Sequence, residues 1–252
     1  EAYEKKYDAC NLPIPLNYLA RHPFDHGAFD TRDEMLEAWP RRPHAVRRHL
    51  ADYYACIEHL DAQIGRVMES LRQHAMEENT IIVFAGDNGL GIGSHGLMGK
   101  QNLYEHSVGV PLLFAGPGIP AGQRRDDLCY LLDIYPTLCD LLNVPAPSSV
   151  EGVSLAESLR GEGSGARSYL VHGYRAVQRS LREGHLKLIE YVADGERHTQ
   201  LFDLAADPEE QNDLAGQPGH ADTIARLRAR LCTLRAEHGD DRPLEQAFWD
   251  GL

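Results

Sequence analysis

Residues 80–111 hold the side chains best suited to chemistry. Asp87-Asn88-Gly89 sets a carboxylate beside a carboxamide, two oxygen donors of the kind that bind hard divalent cations. Gly86, Gly89, Gly91, Gly93, Gly96 and Gly99 recur through the following loop, which lets the backbone fold tightly over whatever binds there. Lys100 closes that loop with a positive charge. His95, inside it, either donates to a substrate oxygen or satisfies the backbone of its own loop. Taken alone, Asp-Asn-Gly is also the composition of a tight turn, and a lysine is by default a solvated surface residue.

The surrounding elements must position these groups. Thr80–Ala85 is a short β-branched and apolar run, the pattern of a buried strand. Ligand sites in open α/β sheets form at the carboxyl ends of strands, so Asp87 and Asn88 are expected at the end of a central parallel strand. Upstream, Val46, Leu50, Tyr53, Ile57, Leu60, Ile64, Val67 and Leu71 alternate spacings of four and three, which predicts a long helix with one face buried throughout. Downstream, Val110–Ala115 reads as a second strand. Asp133 then precedes a helix with Pro136 in its first turn and Leu138, Leu141 and Leu142 on its buried face. This alternation predicts an α/β fold.

Residues 1–43 show weak periodicity and many Pro, His, Asp and Arg residues, and read as an extended surface segment. His22, Asp25, His26 and Asp30 lie within it in a spacing that matches no zinc pattern, so a polar loop, at most the rim of a pocket, is expected. Residues 145–168 read as a linker. Candidate strands follow at 169–174, 176–181, 186–191 and 199–203, with turn signals at Glu183-Gly184 and Asp194-Gly195. Ile224, Leu227, Leu231 and Leu234 mark a C-terminal amphipathic helix. The expected division is therefore an α/β layer over residues 1–165 and a small antiparallel sheet with one helix over residues 166–252.

Two nucleotide motifs fail here. Gly91-Ile92-Gly93-Ser94-His95-Gly96 matches G-x-G-x-x-G, but Gly99 interrupts the helix that a dinucleotide fingerprint needs next. A P-loop would require glycine at Ser94 and a hydroxyl side chain at Gln101.

The order Asp87-Asn88-Gly89, Gly99-Lys100, Tyr104-Glu105 and Val110-Pro111 resembles the sulfatase family of the alkaline-phosphatase superfamily. Further matching stretches are Leu60-Asp61-Ala62-Gln63-Ile64-Gly65, Gly116-Pro117-Gly118, Asp133-Ile134-Tyr135-Pro136-Thr137, Gly152-Val153-Ser154-Leu155, Leu201-Phe202-Asp203-Leu204 and Asn212-Asp213-Leu214. The resemblance implies part of a mostly parallel, alkaline-phosphatase-like sheet with flanking helices. It implies that Asp87 and Asn88 ligate one divalent cation, usually calcium, and that Lys100 contacts the sulfate; His95 stays a candidate substrate contact by its place in the loop alone. The substrate would be a small sulfate ester or a sulfated carbohydrate, in a periplasmic or extracellular setting. A phosphodiesterase or phosphonate hydrolase of the same superfamily is the alternative, although its metal pair is often Asp-His; a non-catalytic metal-binding remnant is another.

One departure matters. The family's nucleophile, Cys or Ser followed by x-Pro-x-Arg and converted to formylglycine, has no counterpart here; Cys10-Asn11-Leu12-Pro13 carries proline one place late and no arginine. The chain thus resembles the C-terminal portion of a sulfatase, with formylglycine expected in an N-terminal half. Alone it is expected to be inactive and to associate through uncovered apolar surface, homo-oligomers included.

Composition bounds the rest. The 252 residues carry a formal charge of −13, 42% hydrophobic and 25% charged residues. That is ordinary for a globular chain and unsuited to a nucleic-acid partner, which needs a basic face. No apolar stretch approaches the roughly 18 residues of a membrane span. The five cysteines include no C-x-x-C pair, and Cys56, Cys139 and Cys232 are expected as small core residues on helices.

Overall fold

A computed structural model describes residues 3, 5–163, 165, 167–250 and 252. The helices are α1 (Pro43–Gln73), α2 (Glu105–Val108), α3 (Ile134–Leu141), α4 (Ala156–Arg160), α5 (Ala221–Glu237) and α6 (Gln246–Asp250). The strands are β1 (Ile82–Ala85), β2 (Leu112–Ala115), β3 (Tyr169–Tyr174), β4 (Gln178–Glu183), β5 (Leu186–Ala193) and β6 (Glu196–Asp203). Among the described residues, no helix is long and apolar enough to cross a membrane. The chain divides into two compact units. One comprises Glu1–Glu58, Asn88–Gly109 and Val171–Leu252; the other comprises His59–Asp87 and Val110–Leu170. The boundary expected after residue 165 falls at Ala166, outside the described residues.

In the second unit β1 pairs with β2, Ile82 opposite Ala115 and Ala85 opposite Leu112. The pairing is antiparallel, not the parallel arrangement expected for β1. Parallel pairing requires a crossover, usually a full helix, and the segment between these strands holds only the four-residue α2. Nor is β1 buried: Phe84 is 39% exposed, and Leu113 on β2 is 55% exposed. Asp133 precedes α3 as expected, but its carboxylate does not cap that helix. It accepts from the backbone N–H groups of Tyr130 and Val153 (2.8 Å each) and from Arg167 Nη2 (2.6 Å). Pro136, Thr137 and Cys139 form the buried face of α3, whereas Leu142 is exposed. The leucine spacing that suggested otherwise runs past the helix end at Leu141.

The four-stranded sheet is ordered β3-β4-β5-β6 with antiparallel ladders joining β4, β5 and β6, and from Val171 on it belongs to the first unit. The turns lie where the sequence signals them: Gly184, Asp194 and Gly195 all have positive φ. Leu97, Leu103, Tyr104, Ile189, Tyr191 and Phe202 form one core cluster, and Val46, Leu50, Ile92 and Met98 form a second. Ile224, Leu227, Leu231 and Leu234 are the buried residues of α5.

Three expectations are corrected by burial. The surface segment expected over residues 1–43 is overturned within 22–41: His22, His26, Asp33, Glu34 and Arg41 are buried, their side chains hydrogen-bonded, ion-paired or packed against rings. The apolar face of α1 is covered only at its start, by Ala45, Val46, Leu50, Ala51 and Ala55; Ile57, Leu60 and Val67 are 46%, 53% and 61% exposed. Cys56 and Cys232 are exposed, since each lies off the buried stripe of its helix, and only Cys139 of the three is buried.

Candidate functional site

The two proposed cation ligands follow β1 directly. Gly86 N–H donates to the Pro111 carbonyl (3.2 Å) and ends the pairing begun by β1 and β2. Asp87 is exposed and Asn88 half-buried. Their donor atoms are hard oxygens, which fits calcium or magnesium by type. Gly89 fixes the backbone beside Asn88: its N–H donates to the Ser107 carbonyl (3.0 Å), and a Cβ there would stand 1.9 Å from the His106 carbonyl oxygen. Only glycine permits that approach to α2.

The glycine loop then doubles back on itself. Gly91, Ile92 and Gly93 donate to the carbonyls of Gly99 (2.9 Å), Met98 (3.2 Å) and Leu97 (2.7 Å). Ile92, Gly93, His95 and Gly96 all take positive φ, so the turn is tight and specific. A buried ion pair supports it from below. Glu34 accepts from the backbone N–H of Met98 (3.1 Å) and Gly99 (2.8 Å) and from Arg41 Nη2 (2.6 Å). Arg41 lies over the Trp39 ring at 3.7 Å and donates from Nε to the Gly96 carbonyl (3.3 Å). The Glu34 and Arg41 side chains are 1% and 0% exposed. Burial pushes the Arg41 guanidinium down, with Glu34 acting against that.

Lys100 emerges from this base as an exposed residue. Beside it, Asp33 accepts from Gln101 Nε2 (2.8 Å) and Arg32 Nε (2.8 Å). The Gln101 amide first, then Arg32 and Lys100, hold the Asp33 carboxyl below the usual carboxylate range. Asn102 ties the far side by donating to the Gly99 carbonyl (3.3 Å).

His95 sits on the opposite side of its loop, buried. Nε2 donates to the Glu210 carbonyl (2.9 Å), the Asn17 amide approaches Nδ1 at 3.5 Å, and the ring stacks on Tyr104 at 3.8 Å. Burial pushes its pKa down to about 4, so the ring is neutral. The ring nitrogens thus serve the Glu210 carbonyl and the Asn17 amide, both outside the glycine loop, and tie that loop to two other segments. Among the described residues, Asn88, His95 and Lys100 share one compact unit, and Asp87 is the last residue of the adjoining segment of the other.

Comparison with known proteins now adds to the geometry. Residues 10–144 match the family described as sulfatase, and residues 93–237 match the C-terminal family of N-sulphoglucosamine sulphohydrolase. Each covers more than half of the chain. This chain belongs to the sulfatase family. It is 30% identical to mouse (Mus musculus) arylsulfatase K over 221 residues, 83% of this chain and 39% of that protein. A solved structure of a protein in complex with its substrate D-glucosamine-2-N,6-O-disulfate superposes with TM-score 0.74 at 27% identity, covering 85% of this chain and 46% of that one. The phosphonate monoester hydrolase from Silicibacter pomeroyi superposes with TM-score 0.77 at 25% identity, covering 93% and 52%. The sulfatase chain thus spans about half the length, or less, of the proteins it matches.

Within the sulfatase chain, two supports of the loop carry no sequence signal. Glu34 and Arg41 lie in an aperiodic stretch, and nothing in their spacing marks them as partners. The second support is a buried cation on β5. Lys187 Nζ, on a side chain 1% exposed, lies 2.8 Å from Glu105 Oε1 and 2.8 Å from Glu210 Oε1. The Glu105 backbone N–H donates to Glu210 Oε2 (2.6 Å), so the triad fixes the start of α2, the helix that packs on Gly89. Burial pushes both carboxyls up. At Glu210 burial prevails; at Glu105 the Lys187 and Arg182 charges outweigh it and hold the group low.

Proposed function

We propose that this chain supplies the cation ligands and the sulfate-contacting lysine of a sulfuric ester hydrolase acting on a sulfated carbohydrate. The observation that carries the reading is the glycine loop: a rigid turn, buttressed by a buried ion pair, that ends in an exposed lysine in a chain of this family. In this reading Asp87 and Asn88 give a carboxylate and an amide oxygen to a calcium ion, and the remaining ligands come from outside these two residues. A bound divalent cation would neutralise charge on the sulfate oxygens, and the attacking group would be a formylglycine outside this chain. Lys100 adds a point charge on a backbone that the loop fixes before the substrate arrives, and that charge would stabilise the transferring anion. Gly89 and the Lys187–Glu105–Glu210 triad hold the backbone next to Asn88, so the two ends of the loop stay in register. The sugar substrate is suggested by the similar protein solved with a disulfated glucosamine.

The fold likeness to a phosphonate monoester hydrolase favours a second reading, hydrolysis of phosphonate esters. Asn88, where that class often carries histidine, weighs against it. Lys100→Ala in the enzyme that contains this chain tests the first. Turnover of a sulfate ester is expected to fall by on the order of a hundredfold, about 3 kcal/mol in the barrier, with the melting temperature unchanged. Unaltered kinetics would make Lys100 an ordinary surface lysine. Preferential hydrolysis of a phosphonate monoester would decide for the second reading.

A further inference from the structure

A cleft of about 520 Å3, lined by Arg21, His22, Pro23, Phe24, Asp25 and Phe29, lies outside every role assigned above. Its chain segment is laced to the glycine loop. His95 N–H donates to the Asn17 carbonyl (2.8 Å), Leu19 N–H donates to the Gly93 carbonyl (3.4 Å), and Tyr18 bridges Ser94. A Cβ on Gly96 would come within 2.5 Å of the Arg21 carbonyl carbon. The cleft wall therefore begins where the loop turns, and Lys100 ends that same loop.

The lining combines rigid rings with unsatisfied charge. Phe24 stacks on His198 (4.2 Å, 12°) and meets Tyr191 edge-on (4.9 Å); Phe29 is set edge-on by Trp39 (5.2 Å) and His26 (4.7 Å). Both phenyl rings are half-buried, fixed from behind. Arg21 is exposed and makes no ion pair among the described residues; its nearest ring contact is Trp39, at 6.0 Å. Asp25 uses Oδ1 to accept from Gly27 N–H (2.8 Å). His22 is a wall, not an anion binder: it is 3% exposed, donates from Nδ1 to the Phe24 carbonyl (2.8 Å), and has Nε2 3.0 Å from Tyr104 Oη. An apolar floor with a few fixed polar groups is how ring-shaped polar ligands are held. A guanidinium without a carboxylate partner, on a chain of net charge −13, is a local site for an anion.

We infer that this cleft is the subsite for the sugar part of the sulfate ester, with Arg21 pairing a second anionic group on that sugar, a carboxylate or another sulfate. Phe24 and Phe29 take the apolar face of the ring, and Asp25 accepts from its hydroxyls. The inference rests on the sulfated-carbohydrate reading above and adds to it the residues that choose the substrate.

The test compares Arg21→Gln with the unsubstituted enzyme containing this chain on four probes: an aryl sulfate, a neutral sugar monosulfate, a sulfated uronate and D-glucosamine-2-N,6-O-disulfate. Calorimetric binding of the disulfate is measured alongside. Expected is a rise in KM of about tenfold or more for one or both anionic sugars, with kcat, aryl-sulfate KM and melting temperature unchanged. Arg21→Lys should restore part of it. A rise confined to the uronate assigns a carboxylate, and one confined to the disulfate assigns a second sulfate. Equal KM values for all four probes in both proteins would overturn the subsite while leaving the sulfatase reading intact. An enzyme that hydrolyses none of the four would overturn the sulfatase reading. In that case disulfate binding abolished by Arg21→Gln would still support the cleft as an anionic-sugar site, and absence of binding would sink it.

Discussion

His22, His26 and His95 are buried and His172 is half-buried, and desolvation pushes their pKa values down to about 3, 4, 4 and 4. The folded-state values lie below the unfolded value near 6.5, so the unfolded chain takes up protons first as pH falls. Stability is fully present above pH 6.5 and is lost below it, down to about pH 4 for His26, His95 and His172 and about pH 3 for His22, at about 1.4 kcal/mol per pH unit for each group. Glu210, whose carboxyl burial pushes up, acts in the opposite direction as a single group. Melting temperatures measured from pH 7.5 to 4.5 should therefore fall steeply below pH 6.5, and a flat profile would show that these imidazoles are not buried neutral. At this scale a sequence points to candidates where residue type alone limits the role. Asp87, Asn88 and Lys100 stood out because carboxylate, amide and amine flanked an unusual run of glycines. Glu34 and Arg41 did not, because a buried ion pair depends on two positions meeting in space and leaves no periodic trace.

Elements divide in the same way. The four strands of the C-terminal sheet and the buried stripe of α5 agree with their patterns because local signals set them: positive-φ turn residues and a repeat of three and four. The apolar face of α1 is uncovered beyond Ala55, and periodicity does not show this, because it reports that a face is apolar, not that something covers it. Two predictions belong here. Arg41→Met should cost about 3–5 kcal/mol by stranding the buried Glu34 carboxylate, a fall of about 10 °C in melting temperature. Differential scanning calorimetry checks it, and a variant with unchanged melting would mean the pair is solvated. Gly89→Ala should cost about 1–3 kcal/mol, because the new methyl must displace α2 from 1.9 Å. Its denaturation midpoint is the readout, and wild-type stability would show that the close approach does not exist.

Across the molecule, the chain brings two of the donors expected for a cation and no group in the context of the family's nucleophile. Among the described residues, no three His, Cys, Asp or Glu side chains gather as a metal site. On its own the 252-residue chain should therefore bind calcium no tighter than roughly millimolar and hydrolyse no aryl sulfate. Titration calorimetry and a chromogenic assay decide this; micromolar binding would reveal ligands beyond Asp87 and Asn88. The exposed apolar side chains Ile57, Leu60, Val67, Phe84 and Leu113 should also bind a hydrophobic dye and drive self-association in light scattering. The lysines have a different consequence. They are Lys5, Lys6, Lys100 and Lys187, and apart from the histidines every other basic side chain is arginine. Lys187 is sealed between two carboxylates, whereas Lys5, Lys6 and Lys100 are exposed. An amine-directed acylating reagent, which needs an accessible uncharged amine, should thus modify Lys5, Lys6 and Lys100 first, and beyond the N-terminal segment only Lys100, at the end of the glycine loop. The loop can carry a spectroscopic label without any engineered cysteine, and later acylation of Lys187 would time the moment at which α2 lets go.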